Sequence, residues 1–317
     1  MGHIRYSWFI VVAQPLFSVF IPTYNRATTL TRAISSVAQQ RFTDFELIIV
    51  DDGSTDKTDQ LVAHWAATYG ERLRFIRQPN QGKHAAYNRA AQEATGELLV
   101  LLDSDDVMLP DALAILAKNW HAIPEAKRSH YAGIEGLCRE SNGKLHGQPF
   151  PYDGMDSNYL EMTRYHGVSG EKRHAIRVDI LRQFPYPIVE GEKHVRPSFV
   201  WKQIAHRYQF RYINEVLQIV DFRADGLTRN ASRRRLRNPG GLYLFWRDDI
   251  LHHTDYLDPK QLRYAMKQYI RYGLLSRHGL LTQWNEVSNR RLWASALIPG
   301  LGNFLTDYCK RALWSRG

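Results

Sequence analysis

Four short apolar runs, FSVFIP (17–22), FELIIVDD (45–52), RLRFIRQ (72–78) and ELLVLLD (97–103), alternate with segments of helical spacing over the first 120 residues. In TTLTRAISSVAQQ, Leu30, Ile34 and Val37 fall on one helical face. A second helix is expected from Asp56 to Tyr69, and a third over KHAAYNRAAQEAT, whose alanines permit close packing. Gly53, Gly70, Gly82 and Gly96 mark the joins. Strands and helices in alternation, with short joins, predict a parallel α/β sheet whose functional groups sit at the carboxyl ends of its strands. Neither a GxGxxG fingerprint nor a Walker P-loop is present, so an ordinary dinucleotide or ATP fold is excluded.

Residues 121–230 are less regular and rich in Gly, Pro, Tyr and His, as expected of a region covering a site rather than forming an independent core. From RRRLRNPGG (233–241) onward the pattern is helical. Leu262, Met266, Tyr269 and Ile270 share one face, with Leu274 near it. LWASALIPGLGNFL (292–305) is apolar but interrupted by Pro299, Gly300 and Gly302. It reads as a broken helix, too short to span a bilayer, that lies in a membrane interface or packs on the catalytic domain. The opening MGHIRYSWFIVVAQPLF, cut by Pro15, is expected to be a lead-in strand. Cys138 and Cys309 form no disulfide framework and fit no zinc spacing, which points to a reducing compartment, the cytoplasm.

The net charge of +10 is unevenly placed: residues 228–317 carry 16 Lys and Arg against 6 Asp and Glu, and the rest of the chain is neutral. A basic C-terminal region implies an anionic surface or substrate, for example membrane lipid or phosphate. RRRLR (233–237) lacks interleaved aromatics and any nucleic-acid-binding module, so no nucleic-acid partner is expected.

The fourth run ends in LLDSDDV, with Asp103, Asp105 and Asp106 crowded together. If the segment is extended, Asp103 and Asp105, two apart with Ser104 between them, point the same way. Paired hard oxygens suit Mg²⁺ or Mn²⁺ that also binds a diphosphate and neutralises a leaving group. Asp51 and Asp52 close the second run, where a carboxylate can accept from a base N–H or ribose hydroxyl, or cap the following helix. After the first run, IPTYNR offers the Tyr24 ring to a nucleobase. After the third, Lys83 or Arg89 could meet phosphate, while Asn25 and Asn80 also fit ordinary turn chemistry.

FSVFIPTYNRATTLTRAISSVAQQRFTDFELIIVDDGSTDKT followed by NQGKHAAYNRAAQEATGELLVLLDSDD resembles the nucleotide-binding half of family 2 glycosyltransferases with the GT-A fold. The resemblance covers roughly residues 17–120. It implies a GT-A α/β fold with a central, mostly parallel sheet, here followed by a helical C-terminal extension. It also implies inverting transfer of a sugar from a nucleotide-diphosphate donor, usually UDP-linked, assisted by Mn²⁺ or Mg²⁺. Carried over by position, Tyr24 stacks on the base, Asp52 holds its edge, and Pro22, Thr23 and Asn25 shape the loop. Asp103 lies on the ribose side, Asp105 at the metal and diphosphate, and Asp106 supports them. The implied division is a donor half (1–120), an acceptor half (121–230) and a basic extension (231–317).

An inverting transferase needs a base to deprotonate the acceptor hydroxyl. The resemblance places it about four residues before a tryptophan in the acceptor half. Four before Trp201 stands Pro197, which cannot serve. Glu192 and Glu190 lie just upstream in VEGEKH, with His194 a third candidate. Glu192 is the first choice. The departure keeps a second reading alive, a degenerate partner subunit that binds nucleotide sugar without transferring it. The acceptor expected of an enzyme is a glycan or a polyprenyl-diphosphate-linked glycan, and its location cytoplasmic or peripheral at the inner membrane face.

Overall fold

The computed structural model describes residues 14–221 and 231–314; the lead-in strand expected over 1–17 lies for the most part outside them. The N-terminal part runs β1 (Phe17–Thr23), α1 (Ala27–Ala38), β2 (Phe45–Asp51), α2 (Thr58–Tyr69), β3 (Leu73–Arg77), α3 (Lys83–Glu93) and β4 (Leu98–Leu101). There follow β5 (Val107–Met108), α4 (Ala112–His121), α5 (Glu125–Arg128), β6 (Tyr131–Glu140), β7 (Met155–Ser157), α6 (Tyr159–Arg164) and β8 (Lys172–Arg177). Next come α7 (Val178–Gln183), α8 (Ser198–Ile204) and β9 (Gln209–Val220), and then the helices α9 (Ala231–Arg237), α10 (Pro239–His252), α11 (Pro259–Leu275), α12 (Leu280–Glu286) and α13 (Arg290–Trp314).

Among the described residues nine strands form one sheet, ordered β3-β2-β1-β4-β8-β6-β9-β5, with β7 on β9. The first four are parallel, as the alternation predicts. Beyond β4 the sheet is mixed: β8 is antiparallel to β4 and to β6, and β9 is parallel to β6. Burial on both faces explains why β1 and β2 read as unbroken apolar runs. One face packs Leu30, Ile34 and Val37 of α1 and Leu113, Leu116 and Trp120 of α4. The other packs Ala86 and Ala90 of α3 and Val200, Trp201 and Ile204 of α8.

The basic C-terminal helices build a further core in which Met266, Tyr269 and Ile270 of α11 meet Leu242, Tyr243, Trp293 and Ala296. The face read from the sequence is therefore the buried one. The expected break at Pro299 does not occur, for α13 runs straight through it. Pro299 is exposed, and the adjacent Gly300 sits so close to α11 that a Cβ there would meet Ile270 at 2.8 Å. Packing on either side of the proline offsets the lost backbone hydrogen bond.

A second expectation is also corrected. β4 ends at Leu101, whose carbonyl accepts from Gln218 Nε2 at 2.8 Å, and Asp106 N donates to Asp103 O at 3.0 Å. Asp103 to Asp106 are thus a β-turn, not extended strand, and alternation along a strand does not set their directions.

Candidate active site

The carboxyl ends of β1, β2 and β4 form one edge. Pro22 and Thr23 are buried at the end of β1, and the Tyr24 ring beyond them is 47% exposed, so a flat face is open to a base. Asn25 takes a left-handed backbone (φ 51°), which its short amide tolerates. Its N–H donates to Ser54 Oγ at 2.8 Å and its Oδ1 accepts from Thr55 N at 2.8 Å, locking the loop after β1 to the loop after β2. Asp52 is not the cap of α2. Its Oδ1 accepts from Gln81 N (2.9 Å) and Gln78 Nε2 (2.8 Å), and its Oδ2 from Gly82 N (2.7 Å). Asp56, just before α2, instead accepts from Thr58 N at 3.1 Å.

Gly82 is required where it stands. Its φ is +94°, and a Cβ would come within 2.1 Å of the Lys193 carbonyl oxygen. The segment joining α7 to α8 therefore lies directly against the start of α3, where Lys83 ion-pairs with Asp103 Oδ1. Arg89 does not reach the edge; it pairs with Glu93 at 2.9 Å.

The acidic turn carries cations of its own. Arg173, on β8 and with its side chain only 4% exposed, lies 2.6 Å from Asp106 Oδ2, 2.7 Å from Glu171 Oε1 and 3.4 Å from Asp103 Oδ2, and its Nε donates to Gln218 Oε1. Asp103, Asp106 and Glu171 are close enough together to hold a metal, but this guanidinium already sits among them. Part of the role that the sequence assigned to a divalent cation thus belongs to the chain itself. Burial disfavours ionising Asp103, yet Lys83 and then Arg173 outweigh it and hold its pKa below the ordinary range. Burial, opposed by Arg173 but aided by Asp103 and Glu171, lifts Asp106 to about 7. Asp105 lies outside this cluster. Burial and the Asp103 charge push its pKa up against Arg26 and Lys83. A hard-oxygen carboxylate destabilised in this way would gain from an added cation. Ser104, between the two, is buried.

In the segment before α8, Glu192 uses both oxygens on the N-terminus of α10, accepting from Gly240 N (2.6 Å) and Gly241 N (2.8 Å). Burial, opposed by those two bonds, still raises its pKa. Glu190 is exposed. His194 is forced down to about 4 by burial and by Arg234, His84 and Arg196, so it is neutral at physiological pH and a weak base. Pro197 occupies the N-cap position of α8.

Residues 18–135 match the model described as Glycosyl transferase family 2. Over this segment the chain is similar to that family. A PGL/p-HBAD biosynthesis glycosyltransferase of Mycobacterium tuberculosis is 43% identical over 107 residues, which are 33% of this chain and 42% of the relative. The match thus spans under half of that relative's length. A GalNAc(5)-diNAcBac-PP-undecaprenol beta-1,3-glucosyltransferase of Campylobacter jejuni is 28% identical over 234 residues, 71% of each chain. Among solved structures, S. aureus TarS 1–349 in complex with UDP-GlcNAc has a TM-score of 0.59 at 21% identity, covering 92% of this chain and 81% of its own. The mannosyltransferase PcManGT from Pyrobaculum calidifontis, in complex with GDP-Man and Mn²⁺, has a TM-score of 0.55 at 21% identity, covering 93% and 88%. The fold is GT-A-like.

Sequence reading missed Arg173, Glu171 and His84. His84 is 5% exposed and neither ring nitrogen has a hydrogen-bond partner among the described residues; burial lowers its pKa, against the pull of Asp52. Nothing local marks Arg173, which reaches Asp103 across 70 positions of chain.

Proposed function

We propose that the protein transfers a sugar, with inversion, from a nucleotide-diphosphate donor, a UDP-sugar, to a hydroxyl of a glycan or lipid-linked acceptor. The observation that carries the reading is the gathering of Tyr24, Asp52, Lys83, Asp103 and Asp105 along one edge of one sheet, in a segment of family 2 type. UDP-GlcNAc bound to a structural neighbour supports the donor class, and a relative named for a polyprenyl-linked substrate supports the acceptor class. Residues up to about 120 serve the donor, 121–230 the acceptor, and 231–317 form the extension.

In this reading Tyr24 stacks on the base and Asp52 accepts from its edge, in the loop shaped by Pro22, Thr23 and Asn25. Asp103 meets the ribose, with Ser104 beside it. Lys83 draws charge toward the diphosphate. Asp105, with Asp103, would hold Mn²⁺ or Mg²⁺, which supplies charge neutralisation at the leaving diphosphate when bound; a neighbour carrying Mn²⁺ supports this. Glu192 takes the acceptor proton. Its raised pKa suits a base, and its two backbone bonds fix the carboxylate while leaving lone pairs free. Glu190 is the alternative.

Replacing Glu192 by Gln lowers transfer by about 10²–10⁴-fold while leaving UDP affinity unchanged. Titration calorimetry with UDP beside a glycan-transfer assay checks both. Undiminished transfer moves the base to Glu190. The proline at position 197 favours the second reading, a non-catalytic nucleotide-sugar-binding subunit; UDP binding by the wild type without donor turnover on any acceptor selects it.

The surface proposed to meet the membrane is α13, where Ile298 (82%), Leu305 (57%) and Tyr308 (60%) are exposed, flanked by Arg290, Arg291, Lys310 and Arg311. Among the described residues no helix is long and apolar enough to cross a membrane. The full chain is expected to co-sediment with vesicles containing anionic lipid and to be released by Ile298→Glu with Leu305→Glu. Equal sedimentation with neutral vesicles, or no sedimentation at all, removes this placement at a cytoplasmic membrane face.

A further inference from the structure

A cavity of about 850 Å³ lies between β6, β8, α6, α8, α10 and α11, and none of the donor-edge residues lines it. Its charged walls are unbalanced, with Arg164, Lys172, Arg196, Lys202 and Lys260 against Glu135, Asp249 and Asp258. The deep charges are matched within the chain. Lys202, 2% exposed, lies 2.8 Å from Asp249, and Arg164 lies 3.8 Å from the same carboxylate. Lys172 Nζ donates to Ser169 O at 3.0 Å and feels the Glu135 charge. Asp258 is committed to the start of α11, accepting from Lys260 N and Gln261 N at 2.8 Å each.

Two cations are left over. Neither Arg196 nor Lys260 ion-pairs with a carboxylate among the described residues, and both are solvent-accessible at the wall. The Arg196 guanidinium lies 4.3 Å from the centroid of the Phe245 ring, and Lys202 Nζ lies 3.7 Å from that same centroid. Two like charges against one ring repel each other, and a bound anion relieves that repulsion. Successive residues of a strand face opposite sides of the sheet. Lys172 therefore lines the cavity while Arg173 lines the acidic turn, from opposite faces of one strand.

We propose that this cavity holds a phosphate group of the acceptor, gripped at the wall by Arg196 and Lys260, with the rest of the acceptor against Trp246 and Tyr264. That the ligand is an acceptor rests on the reading above; that it is a phosphate does not. Inorganic pyrophosphate, titrated calorimetrically into the full chain saturated with UDP, is expected to bind at one site. Arg196→Gln with Lys260→Gln weakens it at least about tenfold and leaves UDP affinity unchanged. Pyrophosphate that competes with UDP, or that loses affinity in Lys83→Gln but not in the double variant, belongs to the donor edge and overturns the proposal, as does absence of binding. Failure of UDP to bind, with pyrophosphate still sensitive to the double variant, overturns the sugar-transfer reading and leaves the phosphate site standing. A prenyl diphosphate binding more tightly than pyrophosphate, with the gain lost in Tyr264→Ala, assigns the phosphate to a lipid-linked acceptor. Equal affinities assign it to a water-soluble one.

Discussion

Arg173→Ala is expected to lower the folding free energy by about 3–5 kcal/mol, the usual cost of leaving buried charges without their counter-charge. The guanidinium reaches Asp103, Asp106 and Glu171 at once, and Asp106 is itself buried. Without it, carboxylates that the chain brings together can shed their repulsion only by taking up protons or by opening the turn. Asp106, already raised to about 7, is the first to protonate. Urea unfolding of the single variant, of Asp106→Asn, and of the two combined supplies a double-mutant cycle. A coupling of about 1–3 kcal/mol between the two sites is expected. Arg173→Lys should fall between wild type and alanine, because one ammonium cannot reproduce the fork that serves several oxygens and Gln218 together. A loss below about 1 kcal/mol for alanine means that solvent relieves the turn unaided, and the description of the cluster is then wrong.

Asp105→Ala should behave in the opposite sense. The carboxylate is disfavoured by burial and by Asp103, so its removal leaves stability equal or slightly higher. Donor turnover, by contrast, is expected to fall by about 10²–10³-fold, as on removing a group that stabilises transition-state charge. Dependence of UDP affinity on Mn²⁺ should vanish. Hydrolysis of UDP-sugar with and without chelator, alongside thermal unfolding, reads both quantities. Wild-type turnover by this variant in metal-free buffer removes Asp105 from the site. The contrast between the two substitutions separates architecture from chemistry within a single turn.

The fold of the N-terminal part was legible because its signals are local. Apolar runs, helical spacing and the acidic and aromatic residues after each strand can be read within a few positions, and β1 to β4 and α1 to α3 follow them. The contents of the site were less legible. Arg173 and Glu171 reach the turn only because β8 pairs antiparallel with β4, a pairing that leaves no mark near either strand. The change from parallel to mixed sheet is hidden for the same reason. The end of β4 at Leu101 depends on Gln218, supplied from β9. A helix cap stayed open as one of two readings of Asp52 because nothing in IIVDDGSTD shows that Gln81 and Gly82 will present their N–H groups to it. Pro299 misled because a proline in sequence advertises a break, whereas the contact of Gly300 with Ile270 that holds α13 together is tertiary.

The placement of Lys172 and Arg173 on β8 fixes the register of that strand twice over. A slip of one position would drive an ammonium stem toward the packed side of the sheet and turn the guanidinium away from its carboxylates. A change of length between Lys172 and Arg177 is therefore not tolerated.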